Sequence, residues 1–186
     1  MNIKLPKIKF FKPKYKKNLV LDKSTFDRHN FFTDNNDYNV ICTRYDEFYL
    51  TILFKSFFKF LINKKKLTIL QIYILETIKW LNPKVILSFT DYNHFFLNLK
   101  KYFPEKKLII FQCSYRHQGL LNAQIKKIKI LKKNNNGKIK LDYFFVFGKK
   151  MVNYYKNLLK TKFIISGVIG NNHKTKKIKI NKKSLV

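Results

Sequence analysis

The sequence predicts an α/β fold with a doubly wound, mostly parallel, Rossmann-like sheet. Short continuous apolar runs, typical of strands buried on both faces, alternate with segments whose apolar residues recur at helical spacing. Residues 83–119 are the clearest case: residues 85–89 and 108–111 are apolar runs, and a helical pattern between them ends at Pro104. Both runs stop at polar residues. Because ligands of doubly wound sheets bind outside the carboxyl ends of the strands, this edge is where we expect a site.

The other elements follow the same alternation. We predict strands at 18–21, 38–43, 143–147 and 163–166, and helices at about 44–61, 67–81, 95–102 and 152–159. Residues 120–130 fit neither period, and residues 132–140 are expected to form a polar loop. The predicted organisation is a basic tail over 1–17, one Rossmann-like domain over 18–172, and a basic linker with the start of a second domain over 173–186.

The charge is strongly basic, but it comes almost entirely from lysine. The 186 residues contain 40 Lys and Arg against 10 Asp and Glu, a formal net charge of +30, and only Arg28, Arg44 and Arg116 are arginines. Sequence-specific nucleic-acid binders depend on arginine for bidentate base contacts, so we expect no specific nucleic-acid partner. Two explanations for the lysines stay open: an A/T-rich codon bias, or non-specific attraction to anionic lipid or nucleic acid.

Nothing in the sequence predicts export or membrane insertion. The amino-terminal residues lack the apolar segment of a signal peptide, and lysines interrupt the apolar stretches 50–62 and 67–81. Cys42 and Cys113 have no partner at metal-ligand or redox-motif spacing, so we expect buried, reduced thiols. The predicted location is the cytoplasm, with peripheral contact at the inner face of the cell membrane left open.

Five segments together resemble a known family. They are RYDEFYLTILFKSF at 44–57, PKVILSFTDYNHFF at 83–96, LIIFQCSYR at 108–116, DYFFVFGKKMVNYY at 142–155 and FIISGVIGNN at 163–172. In order and spacing they are similar to bacterial surface carbohydrate biosynthesis proteins, which are GT-B-like glycosyltransferases of O-antigen, lipopolysaccharide or capsule assembly. Two positions differ: Cys113-Ser114 stands where the family usually has Asn-Gly, and Asp91-Tyr92-Asn93 where it has Asp-Asn.

The resemblance implies the amino-terminal, acceptor-side half of such an enzyme. In that family a second Rossmann-like domain follows the Asn-Asn segment and binds the nucleotide-activated donor. The implied partners are therefore a nucleotide-sugar donor, held mainly by a second domain, and a glycan or lipid-linked acceptor. Two alternatives stay open: a basic non-catalytic module that binds anionic membrane or RNA, and an inactive truncated remnant.

The polar residues after the strand at 85–89 are the candidates for chemistry. Asp91 is either the cap of the following helix or an acceptor for sugar hydroxyls, and as a general base it would deprotonate the acceptor. Asn93 is near enough to bind the same substrate. His94 is a second candidate base, because imidazole titrates near neutrality; the alternative is an ordinary surface histidine.

Further candidate substrate contacts follow the other strands. Gln112 and Arg116 follow residues 108–111, and a guanidinium suits either phosphate recognition or a salt bridge. Arg44 and Glu47 are spaced to share one face at a helix start, as a structural pair or as substrate contacts. Asp22 ends the first strand of the domain and either faces the same cleft or caps a turn.

No motif for a metal or a cofactor is present. The sequence lacks a DxD motif, a Walker loop, a GxGxxG fingerprint and any Cys/His cluster. We therefore predict no metal and no cofactor, and a metal-independent transferase if the resemblance holds.

Overall fold

The computed structural model describes residues 6–22, 37–41, 47–62, 67–114, 117–134, 137 and 139–167. Within these residues the elements in chain order are β1 (Lys7–Lys9), β2 (Asn18–Leu21), β3 (Tyr38–Ile41), β4 (Glu47–Tyr49), α1 (Leu50–Ile62), α2 (Ile69–Leu81), β5 (Val85–Ser88), α3 (His94–Leu97), α4 (Leu99–Tyr102), β6 (Lys107–Phe111), α5 (Gln118–Asn134), β7 (Ile139–Val146), α6 (Lys149–Tyr155) and β8 (Leu159–Ile165).

Six strands form one parallel sheet in the order β3-β2-β5-β6-β7-β8, which confirms the predicted fold class. The chain moves from β2 outward to β3 and then returns to the other side of β2 for β5. At that reversal Leu21 pairs with Ile41 on one side and with Ser88 on the other. A crevice forms where strand order reverses, outside the carboxyl ends of the strands.

The core lies on the two faces of this sheet. Leu19, Val20 and Leu21 of β2 are fully buried, as expected for a strand covered on both faces. Successive strand residues point to opposite faces of the sheet, so Leu19 and Leu21 join one apolar cluster and Val20 joins another. The cluster that contains Leu19 and Leu21 is the larger, and every described helix contributes to it. Phe89 belongs to the smaller cluster and Phe111 packs against it. The ring of Phe111 stacks on that of Phe89, with 4.8 Å between centroids, and on that of Phe145, with 4.5 Å.

A second, two-stranded sheet corrects two predictions at the amino terminus. Residues 7–9, predicted as tail, form β1, and residues 47–49, predicted as helix, form β4; the two strands pair in parallel. Tertiary contacts hold β4 extended, since the backbone N–H of Tyr49 donates to the Tyr73 hydroxyl at 2.8 Å and the Tyr49 ring packs edge-on against Trp80. Helix α1 therefore begins only at Leu50.

The remaining boundaries follow from local signals that the sequence shows to different degrees. Helix α2 begins with a capping box between Thr68 and Gln71 and ends at Asn82 in the left-handed region, close to the predicted bounds. The ambiguous segment 120–130 is helical, within α5. The helix predicted at 95–102 is divided at Asn98 into α3 and α4. The last helix and strand each begin earlier than predicted, at Lys149 and Leu159.

Among the described residues, no helix combines the length and apolar character needed to cross a bilayer. The described cysteine, Cys113, forms no disulfide and is partly exposed rather than buried, whereas Cys42 lies outside the described residues.

Helices α1 and α2 are joined by a buried carboxylate surrounded by lysines. Glu76 of α2 is 3% exposed and lies 3.1 Å from Lys55, 2.7 Å from Lys59 and 3.5 Å from Lys79. Burial by itself raises the pKa of Glu76, but hydrogen bonds from Lys59 and Lys55 and the nearby charges outweigh it, so the pKa is lowered. The charged form of Glu76 therefore stabilises the contact between these helices.

We expect Glu76→Gln to lower the free energy of unfolding by about 2 kcal/mol, because hydrogen bonds to a charged group contribute about that much. Because the pKa of folded Glu76 is lowered, its carboxylate stabilises the fold at pH values above the ordinary pKa of 4.5. This stabilisation is lost as the pH falls below that value, so the difference between wild type and variant shrinks in acid. Denaturant unfolding over a pH series measures both effects. Glu105→Gln, at a carboxylate that is 64% exposed, is the control and should change stability by about 0.5 kcal/mol or less. Equal losses in the two variants would contradict this account.

Candidate functional site

The ends of β2 and β5 meet at the reversal of strand order and bring two predicted site segments together. Asp22 follows β2 with a φ of 82°, and its backbone N–H donates to the Ile41 carbonyl at 3.0 Å. Thr90, which follows β5, donates its hydroxyl to Oδ2 of Asp22 at 3.4 Å. Asp22 therefore belongs to the same edge as Asp91, which is one of the two alternatives that the sequence left open.

A buried hydroxyl shapes the turn that carries Asp91. The Ser88 hydroxyl accepts from the Thr90 N–H at 3.1 Å and donates to the Thr90 carbonyl at 3.2 Å. Ser88, Thr90 and Asp91 are 0%, 4% and 2% exposed. This local bonding replaces the strand ladder where β5 ends, and it turns the chain back toward β2.

Asp91 is held by groups from two other elements. Its Oδ1 accepts from the Cys113 thiol at 3.3 Å, which links the ends of β5 and β6. Its backbone carbonyl accepts from Nε2 of Gln124 on α5 at 2.9 Å. Oε1 of Gln124 is buried and has no hydrogen-bond partner among the described residues.

The cap of α3 is Asn93 rather than Asp91. The Asn93 side-chain oxygen accepts from the Phe96 N–H at 3.2 Å, which satisfies a free N–H group of the first turn. The interpretation of Asp91 as a helix cap is therefore wrong, and its carboxylate faces Cys113 instead. Substrate contact by Asn93 stays a prediction beside this structural role.

Gln112 connects two loops at this edge of the sheet. Its Oε1 accepts from the Phe147 N–H at 3.0 Å, and its Nε2 donates to the Ser114 carbonyl at 3.2 Å. Its own backbone N–H donates to the Phe145 carbonyl. Because both ends of the side chain bind backbone, Gln112 positions the segments after β6 and β7, and its predicted substrate contact remains untested.

His94 opens α3 in a partly buried position. Its Nδ1 is buried and has no hydrogen-bond partner within the described part of the chain. Burial lowers the pKa of His94, and the positive charge of Lys127 on α5 lowers it further. The imidazole is therefore neutral at pH 7, the form that can accept a proton.

Glu47 lies in β4 rather than at a helix start. It forms a salt bridge with Lys9 of β1, so the prediction that it shares a helix face with Arg44 is wrong. The Tyr73 and Trp80 contacts of β4 extend the backbone at this point and remove the helical spacing. Arg44 and Arg116 lie outside the described residues, so their predicted contacts are not described.

Sequence reasoning missed three contributors to this edge. Ser88 lies within the apolar run 85–89, and nothing in the sequence marked it as a contributor to the site. Cys113 was interpreted only as a reduced thiol, although its place after β6, at the level of Asp91, is what the parallel register predicts. Gln124 could be found only once α5 was known to be helical, because its lysine-rich pattern hides the buried face formed with Leu121 and Ile128.

The described residues contain no group of three or more His, Cys, Asp or Glu side chains that could hold a metal ion. A separate cleft of about 540 Å³ lies at the opposite, amino edge of the sheet. Its lining precedes β5 and β6 and includes Lys17, Asn82, Lys84, Glu105 and Lys106. Lys106 is occupied there by Oδ1 of Asn82 and the Pro83 carbonyl, both at 2.9 Å, so it has a structural role.

Comparisons with protein families, with curated proteins and with solved structures gave no match.

We expect the free energy of unfolding to fall as the pH decreases below 6.5, the ordinary value for histidine, because folded His94 has a lower pKa and the unfolded chain binds its proton first. His94→Gln should remove this component of the pH dependence. Chemical denaturation at a series of pH values measures it. His117→Gln replaces an exposed ring and is the matched control, which should retain the wild-type slope. A slope unchanged in His94→Gln would contradict the buried, neutral imidazole.

Proposed function

We propose that this chain is the acceptor-side part of a GT-B-like glycosyltransferase of surface polysaccharide or lipopolysaccharide biosynthesis. One observation carries the proposal: two buried aspartates, Asp22 and Asp91, follow the two strands at which strand order reverses. Carboxylate oxygens accept hydrogen bonds from hydroxyl groups, and a sugar acceptor presents several hydroxyls. The resemblance of the five sequence segments supports the choice of a glycan over other polyols.

The proposed reaction is transfer of a glycosyl group from a nucleotide sugar to an acceptor hydroxyl. The acceptor oxygen forms a bond to the anomeric carbon, the bond from that carbon to the nucleotide phosphate breaks, and the nucleotide leaves with the electron pair. Asp91 accepts the proton of the attacking hydroxyl. The neutral imidazole of His94 is the second candidate for that base.

The other contacts of the edge suit positioning rather than proton transfer. The segment Thr90-Asp91 is held by three other groups: Asp22 accepts from the Thr90 hydroxyl, and Cys113 and Gln124 donate to Asp91. The donor would be bound chiefly by a second domain, with Arg116 as a candidate for its phosphate. The hypothesis for this chain alone is therefore acceptor binding at the carboxyl edge.

We expect Asp91→Asn to weaken acceptor binding at least about tenfold, because it replaces a hydrogen bond to a charged group by a neutral one. NMR titration of the isotopically labelled chain with a panel of monosaccharides and nucleotide sugars measures affinity and location together. The amide signals of Asp22, Thr90 and Cys113 should shift in the wild type.

Asp37→Asn is the matched control, because Asp37 is an exposed carboxylate just before β3, at the opposite edge of the sheet. It should bind as the wild type does. Equal affinity in the two variants, or shifts confined to the cleft at the amino edge, would refute acceptor binding at Asp91.

A further inference from the structure

Helix α1 carries a second apolar face that points away from the core. Its buried side chains are Ile52 and Ser56, which face the protein. On the other side Phe54, Phe57, Phe58 and Leu61 are 58%, 46%, 61% and 53% exposed. We call these four residues the aromatic stripe. Their spacing of three, four and seven positions places them along one side of the helix, where a solvated helix has polar residues.

Helix α5 shows what an ordinary exposed helix face looks like in this protein. It buries Leu121, Gln124 and Ile128, and its exposed positions include the lysines at 126, 127, 129 and 133. Its exposed large apolar residues, Leu120 and Ile130, lie ten positions apart in the sequence and form no stripe. A codon bias toward Phe and Lys would act on both helices, so composition alone does not explain the arrangement on α1.

Further apolar residues lie beside the start of α1. Strands β1 and β4 run in parallel, with Lys9 opposite Tyr49, so the chain after β1 leaves at the end where α1 begins. Phe10 and Phe11, which come next, are 60% and 87% exposed. At the other end of α1, Ile62 is 79% exposed. The exposed apolar surface therefore extends past both ends of the aromatic stripe, which is typical of a binding surface.

The charges around the stripe favour an anionic partner. Lys55 and Lys59 of the same helix, together with Lys79 of α2, form ion pairs with one carboxylate, Glu76, so this group of side chains has a net positive charge. The sequence continues after Ile62 with three lysines at 64–66. A second copy of the chain would bring two surfaces of the same positive charge together, so the charge opposes self-association through this face.

We propose that the aromatic stripe docks on the surface of an anionic lipid bilayer, with α1 lying in the interface. Helices that bind this way combine aromatic and aliphatic residues on one side with flanking lysines that pair with lipid phosphates. The rings enter the boundary between headgroups and acyl chains, and the net positive charge of the lysines around Glu76 attracts the anionic headgroups. This inference is independent of the proposed transfer reaction, because it uses none of the residues at the carboxyl edge.

The test is flotation of the full chain with vesicles of phosphatidylcholine, with and without phosphatidylglycerol. The wild type should bind the anionic vesicles, bind the neutral ones weakly, and release them as salt is raised. The variant Phe54→Ser with Phe58→Ser should lower the partition coefficient at least about tenfold, because two half-exposed rings no longer enter the lipid. Thermal unfolding checks that the variant folds, as expected for changes at exposed side chains.

Leu120→Ser with Ile130→Ser is the matched control, since both residues are 53% exposed on the lysine-rich α5. It should bind anionic vesicles as the wild type does. Equal binding by the stripe variant and the wild type would show attraction by charge alone and overturn the proposal. Two other results would also overturn it, each together with a lack of vesicle binding. One is a dimer in sedimentation that the stripe variant abolishes, and the other is binding to a single-stranded oligonucleotide that depends on the stripe.

Discussion

The parallel pairing of β2 with both β3 and β5 is the constraint on which the rest of the structure depends. Leu21, the last residue of β2, pairs with Ile41 on one side and with Ser88 on the other, and the chain leaves the sheet at the next residue. Asp22 makes that exit with a positive φ, a conformation that a non-glycine residue adopts only when its surroundings hold it there. The hydrogen bonds from its N–H to Ile41 and from Thr90 to its carboxylate provide that support.

The two proposed binding surfaces use different physical chemistry and different parts of the chain. The carboxyl edge consists of buried polar groups, each engaged with a neighbouring strand end or helix. The aromatic stripe consists of exposed apolar groups on a helix that contributes few buried side chains. Removal of water from the apolar stripe lowers the free energy by itself, whereas at the carboxyl edge a ligand must replace each hydrogen bond that it displaces.

The sequence predicted the central strands well because burial on both faces requires continuous apolar residues, as at 85–88 and 108–111. For Asp22 it left two alternatives open, a place in the same cleft as Asp91 or the cap of a turn, because the position of a strand end does not fix the direction of its side chain. It missed β4, because the extended backbone there depends on the Tyr73 hydroxyl, which is distant in sequence. It missed Gln124 for a similar reason: its contact with Asp91 exists only after α5 has folded and packed on the sheet.

The stacked rings of Phe89, Phe111 and Phe145 lie at the ends of three neighbouring strands, directly below the residues of the carboxyl edge. Backbone hydrogen bonds set the separation of these strands, and the rings stack at that spacing independently of what the loops above them contain. Side chains in those loops can therefore change while the strand ends that carry the loops keep their positions. Such a division between a constant base and variable loops lets one domain acquire new ligands by small steps.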